Sequence, residues 1–450
     1  MTSNARHTSN TLCKRASRRR CSNTVDNPVL VGKVAFQEIQ ILTSVRDNMS
    51  SQFHCPYRQS TLLQQALAPN KMRIAFLLGA GCPVSIRIAS EPAKTVPLIP
   101  DIAGLTTLVR DELAKSPTSK TSYESLLARF GSSAKPNIEE ILSHLRALID
   151  VIRDGNIDGM TKTSLRDLDK EICSLIAKVV GVDLPGEKTP YHQLATWTGG
   201  IARAHPVEVF TPNYDLLIEQ AFESRRIPYF DGFIGSKQAF FDLSSIENDI
   251  LPSRWARLWK LHGSINWWRT QNDDVVRRDG ASAEDRQMIY PSHLKYDQSR
   301  RLPYLAMLDR LRDFLGRGQA VIVTCGYSFA DQHLNEVILN GLRGNPTAMC
   351  FALMYSERAK HPEAVSQALR QPNLSVLAYD GAVSGTIERD WRTDEQTSHP
   401  LHGVSVLGPT TGSSGAKGNC QFTLGDFKNF GQFLAQQLSR GDEPAEENAA

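Results

Sequence analysis

The chain has 450 residues, 41% of them hydrophobic and 22% charged, which suits one large soluble domain or two ordinary ones with a buried core. Its best apolar runs, at 74–78 and 320–325, are strand-length and fall well short of the roughly 18 to 20 apolar residues of a membrane-spanning helix; eight cysteines, none in C-x-x-C spacing, exclude a disulfide scaffold and leave no local pair for a zinc ribbon. The net charge is +3, but six of the 51 basic residues precede the first acid, Asp26, so the rest carries 45 against 48 acids.

Residues 1–70 are rich in Ser, Asn, Arg and Gln, the composition of a segment that buries too little surface to order itself. They are expected to be a disordered or spurious basic extension, with Met49 and Met72 as later starts; a transit peptide and a nucleic-acid-binding arm are the alternatives. The opening lacks a signal-peptide apolar core, so a cytoplasmic protein is expected. The fold is assigned to 71–392. It opens on Arg-Ile-Ala-Phe-Leu-Leu at 73–78, a buried parallel strand that runs into Gly79-Ala80-Gly81. About 101–198 the pattern turns helical, with Ile138, Ile141, Leu142, Leu145, Leu148 and Ile149 at i, i+3, i+4 spacing behind an Asn137/Glu140 capping box. This predicts an all-helical insert.

Strand patterns return at 207–210, before Thr-Pro-Asn-Tyr-Asp, at 258–261, before His-Gly-Ser, and at 320–324, before Cys-Gly-Tyr-Ser. Two more follow at 348–355 and 374–379. Alternating strands and helices predict an α/β fold, a doubly wound (Rossmann-like) parallel sheet that binds ligands outside the carboxyl ends of its strands. Beyond it, 393–420 reads as a flexible linker, 421–440 as a helix packing back on the domain, and 441–450 as an acidic tail.

The candidate residues fall at those strand ends. Gly79, Ala80 and Gly81 allow close backbone approach to a pyrophosphate, although Val84 stands where a dinucleotide fingerprint has its third glycine. Cys82 has no neighbour that would activate a thiol and is read as loop filler. Asn213 and Asp215 are either a turn with a helix cap or polar groups aimed at a ligand. His262, between a strand and a glycine turn, is placed as a general base. Gly326 and Ser328 suit a ribose. Asp331, His333 and Asn335 fit a helix cap and solvated face at least as well as a ligand role.

Gly-Ala-Gly at 79–81, Thr-x-Asn-x-Asp at 211–215, Leu-His-Gly-Ser at 261–264 and Gly-x-Ser at 326–328, in this order, resemble the NAD-binding and catalytic motifs of the sirtuin superfamily over roughly 72–380. Ile289-Tyr290-Pro291-Ser292, Lys295-Tyr296, Pro303-Tyr304 and the stretch from Gly326 to Asn335 are closer still to the sirtuin-like domains of bacterial antiphage defence, a branch that hydrolyses NAD+. The isolated Cys173, Cys325 and Cys350 depart from the four-cysteine zinc module of protein-deacylating sirtuins, so no zinc is expected and the helical insert takes the module's place. Ile99-Pro100-Asp101 arrives late and lacks the Phe-Arg that follows in sirtuins.

The resemblance implies an NAD+ hydrolase that yields nicotinamide and ADP-ribose, an NAD-depleting effector of abortive infection. Catalysis would fall to Asn213, His262 and Asp215. NAD+ would be held by Gly79, Ala80, Gly81 and Cys82 through their N–H groups, and by Asp101, Thr211, Gly326, Tyr327 and Ser328. A homo-oligomer is expected, inhibited at rest and released by a partner or an oligomeric change, with a DNA-translocating ATPase or a phage-protein trigger as candidate partners, no membrane contact and no direct nucleic-acid binding by the folded domain. The alternatives are an NAD-dependent protein deacylase and a non-catalytic NAD or ADP-ribose sensor that regulates a partner ATPase.

Overall fold

The computed structural model divides into two units, Met1–Gln52 and Phe53–Ala450. It describes residues 53–439 apart from breaks at 69–71, 92–93, 132–134, 153–154, 187, 249, 271–273, 279–285, 289–302, 394–398 and 409–419. Most of the 1–70 extension, the motif at 289–296, most of the linker and the acidic tail therefore lie outside the described residues.

The fold begins earlier than the composition of 1–70 suggests. Helix α1 (Pro56–Ala66) buries Tyr57 and Leu63 completely, and the Tyr57 hydroxyl lies 2.7 Å from His402 Nδ1. Averaging over a stretch rich in Ser, Asn, Arg and Gln hides this short helix, whose buried side includes Tyr57, Leu63 and Ala66. The expected disordered extension over 1–70 is thus corrected at 53–68, which belong to the fold.

A nine-stranded sheet forms the centre. Its strands are β1 (Arg73–Leu78), β2 (Val207–Thr211), β3 (Tyr229–Phe230), β4 (Ala256–Lys260), β5 (Ala320–Cys325), β6 (Ala348–Leu353), β7 (Leu374–Leu377), β8 (Gly381–Ser384) and β9 (Ile387–Asp390). Their order is β9-β8-β7-β6-β5-β1-β2-β4-β3. Seven strands run parallel, from β7 to β3, and the β8–β9 hairpin adds an antiparallel edge. Strands β2, β4 and β5 are buried along their whole length, as a sheet covered on both faces requires. The side chains of β1 alternate between two cores: Ile74, Phe76 and Leu78 join one, Ala75 and Leu77 the other.

Between β1 and β2 come α2 (Ile102–Leu113), α3 (Pro117–Ala128), α4 (Ile138–Val151), α5 (Lys162–Val180) and α6 (Pro190–Gly199). The capping box at the start of α4 is formed, Asn137 accepting from the Glu139 and Glu140 N–H groups while Glu140 reaches back. Helix α7 (Leu217–Ser224) follows β2, α8 (Tyr304–Gly316) precedes β5, α9 (Gln332–Gly344) follows it, and α10 (Phe427–Ser439) comes last. Helix α10 sets Phe430 against Phe76, 5.9 Å between rings, and Phe427 against Tyr191 of α6 at 5.0 Å.

A second, antiparallel sheet of five short strands escaped the sequence reading. Residues Gly263–Arg269 form one of its strands, so the chain passes from β4 through Leu261 and His262 straight into another strand. The consecutive Trp267 and Trp268 are both buried there. An alternation rule assigns such neighbours to opposite faces, one of them wet; tertiary packing covers both.

Candidate active site

The chain enters the sheet at its middle. Strand β1 has β2 on one side and β5 on the other, so successive connections leave in opposite directions, the place where doubly wound sheets have their ligand crevice at the carboxyl ends. Four strand ends meet there: Gly79 after β1, the 211–215 loop after β2, His262 after β4 and Gly326 after β5.

The two glycine turns pack main chain to main chain. A Cβ on Gly79 would stand 2.3 Å from the Gly326 oxygen, and one on Gly326, where φ is +64°, would stand 2.5 Å from the Cys82 nitrogen. Here glycine is demanded by the close approach itself. Gly79 N–H donates to Cys325 O, Gly81 N–H to Gly326 O and Cys82 N–H to Gly79 O, at 2.9, 2.9 and 3.0 Å. The expected four-donor cradle over Gly79 to Cys82 is therefore corrected: three of its N–H groups are spent inside the protein, leaving the exposed Ala80 as the one for which the described residues show no internal partner. Cys82 is fully buried and its thiol donates to Cys325 O at 3.2 Å. Burial, then the neighbouring Cys325 and Asp215, pushes that thiol well up, which keeps it protonated.

Thr211 Oγ1 donates to Leu78 O at 2.7 Å and Asn213 Nδ2 to Gly79 O at 3.1 Å, tying the 211–215 loop to the end of β1. Thr211 is buried in this role, whereas Asn213 is only half-buried. Asp215 is buried and accepts the Leu217 N–H at 3.1 Å. Burial pushes its carboxyl up; Lys260, the Leu217 and Asp215 main-chain N–H groups and the Asn213 side chain oppose this.

His262 is nearly buried, and its Nε2 lies 3.3 Å from Asp331 Oδ2. The other oxygen of Asp331 accepts the His333 and Leu334 N–H groups, at 3.1 and 3.2 Å, and caps α9. The two readings of Asp331, cap and site residue, thus coexist on its two oxygens. Asp215, grouped by the resemblance with Asn213 and His262 as catalytic, accepts the Leu217 N–H; the carboxylate beside His262 is that of Asp331.

Tyr327 turns inward, its hydroxyl donating to Asn335 Oδ1 at 2.7 Å, while Asn335 Nδ2 donates to Phe329 O at 2.7 Å and helps hold Phe329 at a φ of +59°. Ser328 is exposed at the crevice. Asp101 caps α2, accepting the Gly104 N–H at 2.8 Å, and no described contact joins it to His262 or Asn213.

Beneath the loop lies a pair that sequence reasoning passed over. Lys260, the last residue of β4, is buried with Nζ 3.1 Å from Glu219 Oε1 and donates to the Asp215 carbonyl. The available signal was a lysine closing the wholly buried strand Ala-Arg-Leu-Trp-Lys, since a buried ammonium requires partners.

Residues 207–377 match the family model of the SIR2-like domain. The SIR2-like segment spans β2 to β7 and contains Asn213, Asp215, Lys260, His262, Gly326 and Asp331; the Gly79 turn precedes it. The match covers less than half of the chain, and over that segment the chain is similar to SIR2-like domains. Among solved structures, the chain is similar to one titled "Structural Basis for the Mechanism and Regulation of Sir2 Enzymes", at 13% identity and a TM-score of 0.30, over 67% of this chain and 86% of that one. No curated protein matches the chain.

Proposed function

We propose that the crevice hydrolyses NAD+ to nicotinamide and ADP-ribose. The observation that carries this reading is the convergence, on adjacent strand ends of a SIR2-like segment, of the Asn213 amide and a His262–Asp331 pair beside two interlocked glycine turns. The bond that breaks joins the nicotinamide nitrogen to C1 of its ribose. The pyridinium leaves as neutral nicotinamide and takes the bonding electrons, so no acid is needed, and the electron-poor ribose carbon accepts a water whose proton passes to a base. A half-buried amide suits holding the ribose and that water. An imidazole backed by a carboxylate suits taking the proton, directly or through a ribose hydroxyl. The exposed Ala80 N–H and Ser328 hydroxyl suit the phosphate and ribose beyond, with Thr211, Tyr327 and Cys82 as struts behind them.

By motif resemblance, the physiological role proposed is NAD+ depletion in abortive antiphage defence by a cytoplasmic oligomer, held inactive until a phage protein or a partner ATPase engages it. The test is chromatography of NAD+ incubated with wild-type protein, His262→Ala and Asn213→Ala, with and without phage components. Nicotinamide and ADP-ribose from wild type alone support the reading. Turnover that requires an acyl-lysine peptide would establish deacylation instead, and tight NAD+ binding without turnover under every activating condition would establish a sensor.

A further inference from the structure

The groups that face the ligand sit on a loop, and a loop needs something rigid beneath it to hold an amide within a fraction of an ångström. Thr211 and Asn213 fasten the loop to β1 from the side. From below, the Lys260 ammonium engages it. Lys260 Nζ donates to the Asp215 main-chain oxygen and pairs with Glu219 Oε1 at 3.1 Å, and the side chains of Lys260 and Glu219 are only 2% and 11% exposed. Glu219 lies in the first turn of α7 and its Oε2 is buried without a hydrogen-bond partner among the described residues. Burial pushes the Glu219 carboxyl up, and Lys260 is the main influence holding it down.

A pair this deep is a poor device for stability alone, because desolvating both charges offsets their attraction and an apolar pair of similar volume does as well. Its geometry does something an apolar pair cannot. It donates from the end of β4, two residues before His262, to the backbone two residues after Asn213, and so couples the base and the ribose-holding amide to one ammonium.

We propose that Lys260, fixed by Glu219, is a positioning residue that sets Asn213 relative to His262. The inference rests on the NAD+-hydrolase reading of the site, and its effect belongs in kcat rather than in substrate affinity.

The test compares wild type, Lys260→Met and the double variant Lys260→Met/Glu219→Gln in the full chain, reading melting temperature, kcat, KM for NAD+ and hydrogen–deuterium exchange across 211–216. Lys260→Met alone strands a buried carboxylate and melts lower. Glu219→Gln removes that charge, so the double variant recovers stability. The expected result is that it does not recover activity: kcat stays about 10- to 100-fold below wild type, KM stays within about twofold, and 211–216 exchanges faster. A double variant with wild-type kcat and wild-type exchange overturns the proposal. If wild-type protein does not hydrolyse NAD+ under any condition, the functional reading fails by itself. Exchange at 211–216 then decides the positioning role: faster in the double variant supports it, unchanged refutes it.

Discussion

Replacing Gly326 with alanine asks whether the two glycine turns must meet backbone to backbone. At a φ of +64° an L residue pays about 1–2 kcal/mol relative to glycine. The added methyl would also stand 2.5 Å from the Cys82 nitrogen and 2.8 Å from the Gly81 carbonyl carbon. Those are main-chain atoms, held by the Gly79-to-Cys325 and Gly81-to-Gly326 hydrogen bonds at 2.9 Å each, so relief means displacing the turn, at about 1–3 kcal/mol for overpacking of this kind. Together the cost is about 2–5 kcal/mol. Gly385 supplies the control: its φ is +57°, but a Cβ there meets nothing within 4 Å, so Gly385→Ala costs only the backbone share of about 1–2 kcal/mol. Urea unfolding of both variants, compared at unchanged slope, should place the Gly326→Ala midpoint clearly below that of Gly385→Ala. Equal midpoints would refute the interlock and return Gly326 to an ordinary turn glycine.

Asp331→Asn should leave melting unchanged, because asparagine caps a helix as well as aspartate does, yet lower kcat for NAD+ hydrolysis about 10-fold or more by removing the carboxylate beside His262; a wild-type kcat counts against the pair. Phe430→Ala, at a fully buried ring against Phe76, should cost about 3–5 kcal/mol in urea unfolding, and a loss under about 1 kcal/mol would show that α10 does not close that face. Burial pushes the Asp380 carboxyl up, but the Arg358 N–H, its side-chain hydrogen bonds and its charge outweigh this and hold it below the ordinary carboxylate value. A depressed folded-state pKa adds stability above the unfolded value and loses it as pH falls through the folded one. Asp380→Asn should therefore destabilise by about 1 kcal/mol at pH 7, solvent screening included, with the gap closing below about pH 3; a gap that persists in acid would mean the charge is not what matters.

The central strands and the polar residues at their ends are legible in the amino-acid sequence. Ile74 to Leu78 and Ala320 to Val323 are apolar throughout because both faces of a covered parallel sheet are dry, and that signature needs no partner to be read. The capping box at Asn137 and Glu140 is equally local. What depended on tertiary structure lay in pairings between distant segments. The glycines at 79 and 326 look like two separate turns, and only their mutual approach shows why neither tolerates a Cβ and why most N–H groups at 79–82 are already used. Asp331, read from its neighbours, is a helix cap; its second oxygen acquires a meaning only when β4 brings His262 within 3.3 Å. Lys260 and Glu219 stand 41 positions apart in sequence and carry no motif. They become a pair because β4 lies beside β2 and α7 is the helix that follows β2, and a buried charge is compelled to find its partner wherever the topology puts one.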